Sequence, residues 1–133
     1  MLGVIPRFMY EIEWGNEGTT ELRIVGDMYE RMGVMTEEAD AFVALPGGCG
    51  TFEELFEVLT AKRLGLHGKP IVLLNTRDYF APCLQLLERC VEEGFMDERH
   101  RAMWGAVDRP DQVLDALRSA PPWGAEARGF AAL

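Results

Sequence analysis

The chain has 133 residues, 48% of them hydrophobic, which suits one domain with a sizeable core and excludes a disordered or collagen-like chain. Its formal net charge is -9, from 13 basic and 22 acidic residues, which argues against binding to nucleic acid or an anionic membrane. No apolar run approaches the roughly 20 residues of a membrane helix, and the first residues lack the layout of a secretory signal. We therefore expect a soluble protein of the cytoplasm.

The first part of the chain alternates between short apolar runs and helical patterns. Apolar runs of this length are typical of buried strands, and residues 41–46 form a continuous run of the kind covered on both faces of a sheet. The predicted elements are a strand at 2–6, a loop or short helix at 7–20, a strand at 21–27, a helix at 28–40 and a strand at 41–46.

The clearest helix is predicted over residues 51–65. Its apolar side chains recur at the spacing of one helical face, and Gly65 supplies a C-terminal stop. A later helix has Asp78 as its expected N-cap, and Pro82 fits that helix only in the first turn. The remaining predicted elements are a strand at 69–75, a helix at 78–95, a helical turn at 97–103, a strand at 104–108 and a helix at 109–120.

Strands that alternate with amphipathic helices indicate parallel β-α-β units and therefore an α/β fold. Residues 1–120 show no linker or internal repeat, so a single domain is predicted. Residues 121–133 are rich in Pro, Gly and Ala, which predicts a flexible tail.

Cysteine and histidine usage offers little support for a metal centre. The three cysteines, Cys49, Cys83 and Cys90, form no CxxC pair, which favours free thiols in a reducing compartment. His67 and His100 have no metal-ligand spacing with each other or with a cysteine. No metal is therefore expected.

The stretch ALPGGCGTFEEL, residues 44–55, joins a predicted strand to the clearest helix. Ligands of α/β proteins bind beyond the carboxyl ends of strands, where this turn lies. The residues Gly47, Gly48 and Gly50 allow positive φ angles and close approach of a ligand, and the helix start offers free N–H groups to a phosphate. The alternative is a tight turn without a ligand. The stretch is neither a Walker loop nor GxGxxG.

Several polar residues near this turn have two interpretations each. Thr51 and Glu54 fit a capping box, whereas in the second interpretation Glu54 lies in the first helical turn, where it stabilises a cationic sugar or activates water. Arg31 is either a surface arginine or a two-pronged anion clamp. Glu13 and Thr60 would otherwise pass as a solvated carboxylate and a helix hydroxyl.

The segment PGGCGTFEE matches PGGxGTxxE, the motif of the Lonely guy family of cytokinin riboside 5'-monophosphate phosphoribohydrolases, which were long labelled lysine decarboxylases. The similarity extends in family order from residue 3 to about residue 110, through GVIP, ELRIVGDMYER, the 40–75 region, YF and VEEGFM. The resemblance implies a Rossmann-like three-layer α-β-α fold with a parallel sheet, usually as a homodimer, and no metal or organic cofactor. It also implies hydrolysis of the N-glycosidic bond of AMP or a cytokinin ribotide, which releases the base and ribose 5-phosphate.

Carried over position by position, the resemblance assigns two groups of residues. In this assignment the motif glycines and Thr51 hold the 5'-phosphate. The catalytic residues are Arg31 and Glu54; the substrate-binding residues are Glu13, Gly47, Gly48, Cys49, Gly50, Thr51 and Thr60.

The chain departs from the family pattern in two places. Met32 stands where the family usually has lysine, which removes one positive charge near the site. The family also carries N-terminal strands and a further glycine-rich loop before GVIP, so an N-terminally short member with exposed sheet surface is expected. These departures keep open two alternatives: a non-catalytic nucleotide or cofactor carrier, similar to the molybdenum-cofactor carriers, and an inactive truncated form.

The former decarboxylase label does not suit the two lysines of the chain. Pyridoxal chemistry needs a lysine that forms a Schiff base with the cofactor. Lys62 lies late in a predicted helix and Lys69 in a turn before a strand, and neither has a recognisable cofactor setting.

Overall fold

The strands form two parallel sheets, one in each of two units of the chain. The structure is a computed structural model that describes residues 1–12, 15–16 and 18–132. The first unit is Met1–Ala39 and the second is Asp40–Leu133. Because Glu13 lies outside the described residues, its predicted role stays a prediction.

In the first unit, two parallel strands pair in register from Leu2 opposite Glu21 to Pro6 opposite Val25. The start of the following helix is capped by Asp27, whose side chain accepts a hydrogen bond from the backbone N–H of Glu30 at 2.8 Å. The elements are β1 (Leu2–Pro6), α1 (Arg7–Glu11), β2 (Glu21–Val25) and α2 (Met28–Glu38).

In the second unit, the sheet order is β3-β4-β5 and all three strands are parallel. The central strand β4 is buried along its whole length, whereas Val43 in β3 is 40% exposed. The expectation that this run is covered on both faces is therefore wrong for the residues described. The elements are β3 (Phe42–Ala44), α3 (Cys49–Arg63), β4 (Ile71–Leu74), α4 (Ala81–Glu92), β5 (Gly105–Val107) and α5 (Val113–Arg118).

Backbone geometry decides where the helices of this unit begin and end. Gly65 has a φ of 69° directly after the end of α3, which confirms it as the helix stop. The prediction of Asp78 as an N-cap is wrong, because Asp78 itself has a φ of 58° and α4 begins only at Ala81. Pro82 accordingly falls in the first turn of α4, where its missing N–H does no harm.

The C-terminal segment packs against the end of α3, although the sequence predicts a flexible tail. The indole N–H of Trp123 donates to the carbonyl of Lys62 at 2.8 Å, and Arg63 donates to the carbonyl of Ala131 at 2.8 Å. Ala127 is 1% exposed. This packing depends on individual hydrogen bonds, from the Trp123 indole and from Arg63, which amino-acid composition does not specify.

The predicted class, α/β with parallel strands linked through helices, is confirmed, and it is consistent with a Rossmann-like fold. The division into one domain over 1–120 and a tail stays a prediction. Within the described part of the chain, every helix is too short or too polar to cross a membrane.

Candidate active site

The helix that follows the glycine turn begins two residues earlier than predicted. Its first residue is Cys49. Its N-cap is Gly48, whose backbone is extended and which has no side chain to cap the helix. Thr51 is therefore not the N-cap, and the predicted capping box with Glu54 is wrong. Glu54 lies in the second turn of α3 rather than the first. The sequence misleads here because a threonine is the better cap by propensity, while glycine serves through its backbone alone.

The three glycines of the turn do not adopt left-handed conformations, so the expectation of positive φ is wrong for them. Gly47 serves a different purpose, because a Cβ atom there would lie 2.2 Å from the hydroxyl oxygen of Thr51. At Gly48 and Gly50 a Cβ atom would meet no other atom within 4 Å. Gly47 thus makes room for Thr51, and the other two glycines leave the backbone accessible to a ligand.

The start of α3 carries no negative charge of its own. Its first turn contains no acidic residue, and its last turn contains the cations Lys62 and Arg63. The first helical hydrogen bond is donated by Phe52 to Gly48 at 3.2 Å, so the N–H groups of residues 49–51 precede the helical ladder. Such N–H groups and the positive end of the helix dipole attract anions, above all phosphate.

A second loop contacts the glycine turn. It follows β4, which lies beside β3, so both loops leave the same edge of the sheet. The hydroxyl of Tyr79 donates a hydrogen bond to the carbonyl of Gly47. The two residues directly before Tyr79 have positive φ angles, 52° at Arg77 and 58° at Asp78. This left-handed conformation costs about 1–2 kcal/mol per residue. Sequence reasoning missed this loop as part of the site.

The loop after β4 is held in place by a buried amide. Asn75 is 8% exposed, and its side-chain oxygen accepts a hydrogen bond from the backbone N–H of Phe80 at 2.7 Å. An asparagine directly after a strand is the signal in the sequence that could have revealed this loop.

Two of the predicted site residues on α3 lie on different faces of the helix. Glu54 is half-buried and one turn along from Thr51, which places these two on the same face. Thr60 is exposed and lines a shallow groove of about 580 Å³. The other residues that line this groove are Glu53, Phe56, Glu57, Ala61, Leu64 and Leu66.

Arg31 lies on α2 in the first unit and is half-buried. Its Nε donates a hydrogen bond to the carbonyl of Val4 at 3.0 Å, which fixes part of the guanidinium. The neighbouring Met32 is only 4% exposed, so the side chain at the position of the usual family lysine packs into the interior. The pairing of Arg31 with Glu54 stays a prediction.

Within the described residues, the thiols and possible metal ligands do not come together in a further site. Cys49 is exposed at the first position of α3, and burial raises the pKa of the Cys83 thiol. All three cysteines are free. Among the residues that the structure describes, no group of three or more His, Cys, Asp or Glu side chains is suited to hold a metal ion.

The family model described as "Possible lysine decarboxylase" matches residues 1–117. The chain belongs to this family. The curated relatives carry the name that the motif led us to expect, which confirms the resemblance to the Lonely guy family. The family name states a lysine decarboxylase, whereas the relatives' names state a phosphoribohydrolase.

The relatives come from a bacterium and from plants. The cytokinin riboside 5'-monophosphate phosphoribohydrolase of Rhodococcoides fascians is 50% identical over 120 residues, which are 90% of this chain and 61% of that protein. A protein of the same name from Arabidopsis thaliana is 45% identical over 122 residues, 92% of this chain and 57% of that protein. A probable one from Oryza sativa subsp. japonica is 42% identical over 120 residues, 90% and 52% respectively. The chain thus spans about half to three-fifths of the length of these relatives.

Proposed function

We propose that the protein hydrolyses the N-glycosidic bond of purine nucleoside 5'-monophosphates, with AMP or a cytokinin ribotide as substrate. The observation that supports this most directly is the acid-free start of α3, where backbone N–H groups precede the first helical hydrogen bond and Gly48 and Gly50 leave space for a ligand. An anion site made of backbone dipoles explains how a chain of net charge -9 binds a phosphorylated ligand. The names of the relatives point to the same chemistry.

In this proposal the 5'-phosphate lies at the start of α3, against Gly47, Gly48, Cys49, Gly50 and Thr51. The C1'–N bond of the ribose breaks, and its electron pair leaves with the base, which takes up a proton. The oxygen of a water molecule then bonds to C1' and loses a proton, which gives ribose 5-phosphate. Glu54 stabilises the positive charge that develops on the ribose, and Arg31 anchors the substrate or assists the leaving base. Glu13 and Thr60 contact the substrate.

We also propose a homodimer built on the groove along α3. Phe56 is 38% exposed, Leu64 43% and Leu66 65%, so this groove presents apolar side chains that a second copy would cover. Thr60 lines the same groove, on a different face of α3 from Glu54. A dimer across this face would give Thr60 a role in the site of the second copy. Light scattering of the purified protein measures the mass that tests this.

Decarboxylation is a poor candidate for this chain. Lys62 is 1% exposed, and its ammonium donates hydrogen bonds to the carbonyls of Lys69 at 3.0 Å and Met103 at 2.9 Å. An amine held in this way does not reach an aldehyde cofactor. Lys69 lies at the end of the loop that precedes β4, at the opposite edge of the sheet from the glycine turn.

The experiment that tests the function is incubation with AMP followed by separate assays for free adenine and ribose 5-phosphate. We expect both products in equal amounts, and we expect Glu54→Gln to lower kcat by about 100-fold or more. Glu92→Gln, which removes an exposed carboxylate on α4, is the matched control and should retain full activity. If Glu54→Gln hydrolyses AMP at the wild-type rate, Glu54 has no part in the mechanism.

The same experiment separates the enzyme from a carrier. The buried Met32 in place of the usual lysine is the observation that favours a binder, because it removes a charge that a catalyst would use. AMP binding without any product over many hours supports the carrier. The absence of both binding and hydrolysis supports an inactive form. Cell fractionation tests the expected cytoplasmic location.

A further inference from the structure

We propose that Tyr79 is a positioning residue of the phosphate site, which it serves through the backbone of the glycine turn. The inference rests on the proposed function, since it concerns the same site. Tyr79 lies outside the PGGxGTxxE motif, in the loop after β4, and its hydroxyl donates a hydrogen bond to the carbonyl of Gly47. The proposal is that this bond aims the N–H of Gly48 toward the bound phosphate.

The peptide bond between Gly47 and Gly48 transmits the effect. Among the described residues all peptide bonds are trans, so the carbonyl of Gly47 and the N–H of Gly48 point in opposite directions. A carbonyl held toward Tyr79 therefore turns the N–H of Gly48 away from the loop after β4. Without the bond, little restrains this peptide plane, since glycine is the most permissive residue on each side of it.

Tyr79 is 46% exposed, and its ring and backbone are held by contacts within its own loop. Its ring meets the ring of Phe80 edge-on, with centroids 5.3 Å apart, and Phe80 is fully buried. The backbone N–H of Phe80 is bound by Asn75 at 2.7 Å. The backbone N–H of Tyr79 donates to the carbonyl of Thr76 at 3.1 Å. The hydroxyl thus extends from a ring and backbone that these contacts hold to a turn that contains three glycines.

Two residues with left-handed backbone conformation support a functional role for this loop. Arg77 and Asp78 are consecutive non-glycine residues at positive φ, a conformation that folded chains retain where other contacts enforce it, often at functional sites. Here it turns the chain sharply after β4 and brings Tyr79 back toward the glycine turn.

The test compares Tyr79→Phe with wild type for a ligand that carries the phosphate and for one that lacks it. The variant removes only the hydroxyl and keeps the ring against Phe80. We expect the Kd of AMP and its KM to rise about three- to ten-fold, as for the loss of one hydrogen bond that orients a donor. The kcat should change less than two-fold, and the Kd of adenosine, measured by NMR titration, should not change.

Two further measurements complete the test. The AMP-induced shift of the Gly48 amide resonance should shrink in Tyr79→Phe, while thermal unfolding shows that the fold is intact. Tyr29→Phe is the matched control, because Tyr29 is 86% exposed on α2. This control should behave as wild type in every assay.

Each outcome bears on the proposal. Equal weakening of AMP and adenosine, or no weakening of either, overturns the role of Tyr79 while leaving the proposed function intact. A wild-type protein that binds no AMP overturns the proposed function, and the inference about Tyr79 fails with it. Wild-type binding without hydrolysis overturns the enzymatic proposal only, because the two Kd values still measure the effect of the hydroxyl.

Discussion

The chain contains two helix starts of opposite character. At the start of α2, Asp27 accepts a hydrogen bond from the N–H of Glu30, and the Glu30 carboxylate accepts one from the N–H of Gly26 at 2.7 Å. At the start of α3, the N-cap is Gly48, and the first turn contains no acidic residue. The α2 start therefore supplies its own anions, whereas the α3 start does not.

This contrast shows where an acidic protein is able to bind an anion. Net charge describes the field at long range, but the local field at a helix start depends on a few side chains. Two carboxylates occupy the donors at α2, so a phosphate there would meet negative charge. At α3 the first turn contains no acidic residue, so no carboxylate of that turn occupies the same type of donor.

The largest expected effect comes from converting the α3 start into a copy of the α2 start. Gly48→Asp places a carboxylate at the N-cap, in a backbone conformation that aspartate adopts and in space that no protein atom occupies. The new carboxylate should cap the helix and repel the phosphate. Like charges brought together at a binding site cost several kcal/mol. We expect AMP affinity, measured by calorimetry, to fall at least about 100-fold.

Gly48→Asn is the matched control for this change. It caps the helix equally well and has nearly the same shape, but it carries no charge. Its affinity for AMP should fall much less than that of Gly48→Asp. Equal losses in the two variants would mean that shape, rather than charge, decides binding at this turn.

The next effect concerns the far end of α3, where the cations lie. Burial of Lys62 lowers its pKa from 10.5 to about 8, so the unfolded chain binds more protons than the folded chain between these two values. The free energy of unfolding should therefore rise with pH across that window, by about 3 kcal/mol. Below pH 8 the amine is charged in both states, and this contribution stays constant.

Urea unfolding at several pH values from 7.5 to about 10.5 measures this dependence. Lys62→Met is the comparison, because it keeps an unbranched side chain only one atom shorter and removes the titrating group. The rise assigned to Lys62 is the difference between the two curves, since other groups titrate equally in both. Parallel curves would show that the buried amine does not titrate in this range.

The smallest effect is expected at α2, where the cap serves the helix alone. Asp27→Ala removes the acceptor of the Glu30 N–H and should lower the free energy of unfolding by about 1 kcal/mol in urea. Asp27→Asn keeps an acceptor oxygen and should lose less. If Asp27→Ala lowered AMP affinity more strongly than stability, the proposal that α2 is capped only for stability while the start of α3 binds the phosphate would be wrong.

Much of the fold could be predicted because apolar runs and helical spacing report burial directly. The strand at 2–6 was predicted with the observed bounds, and Gly65 was identified as a helix stop from its type alone. The helix ends were less predictable. Capping depends on φ and ψ as well as on residue type, which is why Thr51 was preferred over Gly48 and Asp78 over Phe80.

Only the residues of the candidate site that lie close together in the sequence could be predicted. A motif places Gly48, Thr51 and Glu54 within one turn and one helix, and the structure confirms that these residues share the start of α3. The contact between Tyr79 and Gly47 joins residues 32 positions apart and leaves no periodic trace in the sequence. The separation of Thr60 from Glu54 around α3 follows from helix geometry once the bounds are known.

The burial of Lys62 has a practical consequence for covalent labelling. The chain has only two lysines, and one of them is enclosed with its ammonium bound to two carbonyls. Amine-directed dyes should therefore label Lys69 rather than Lys62. A single fluorophore on Lys69, just before β4, would report on the second unit without touching the glycine turn.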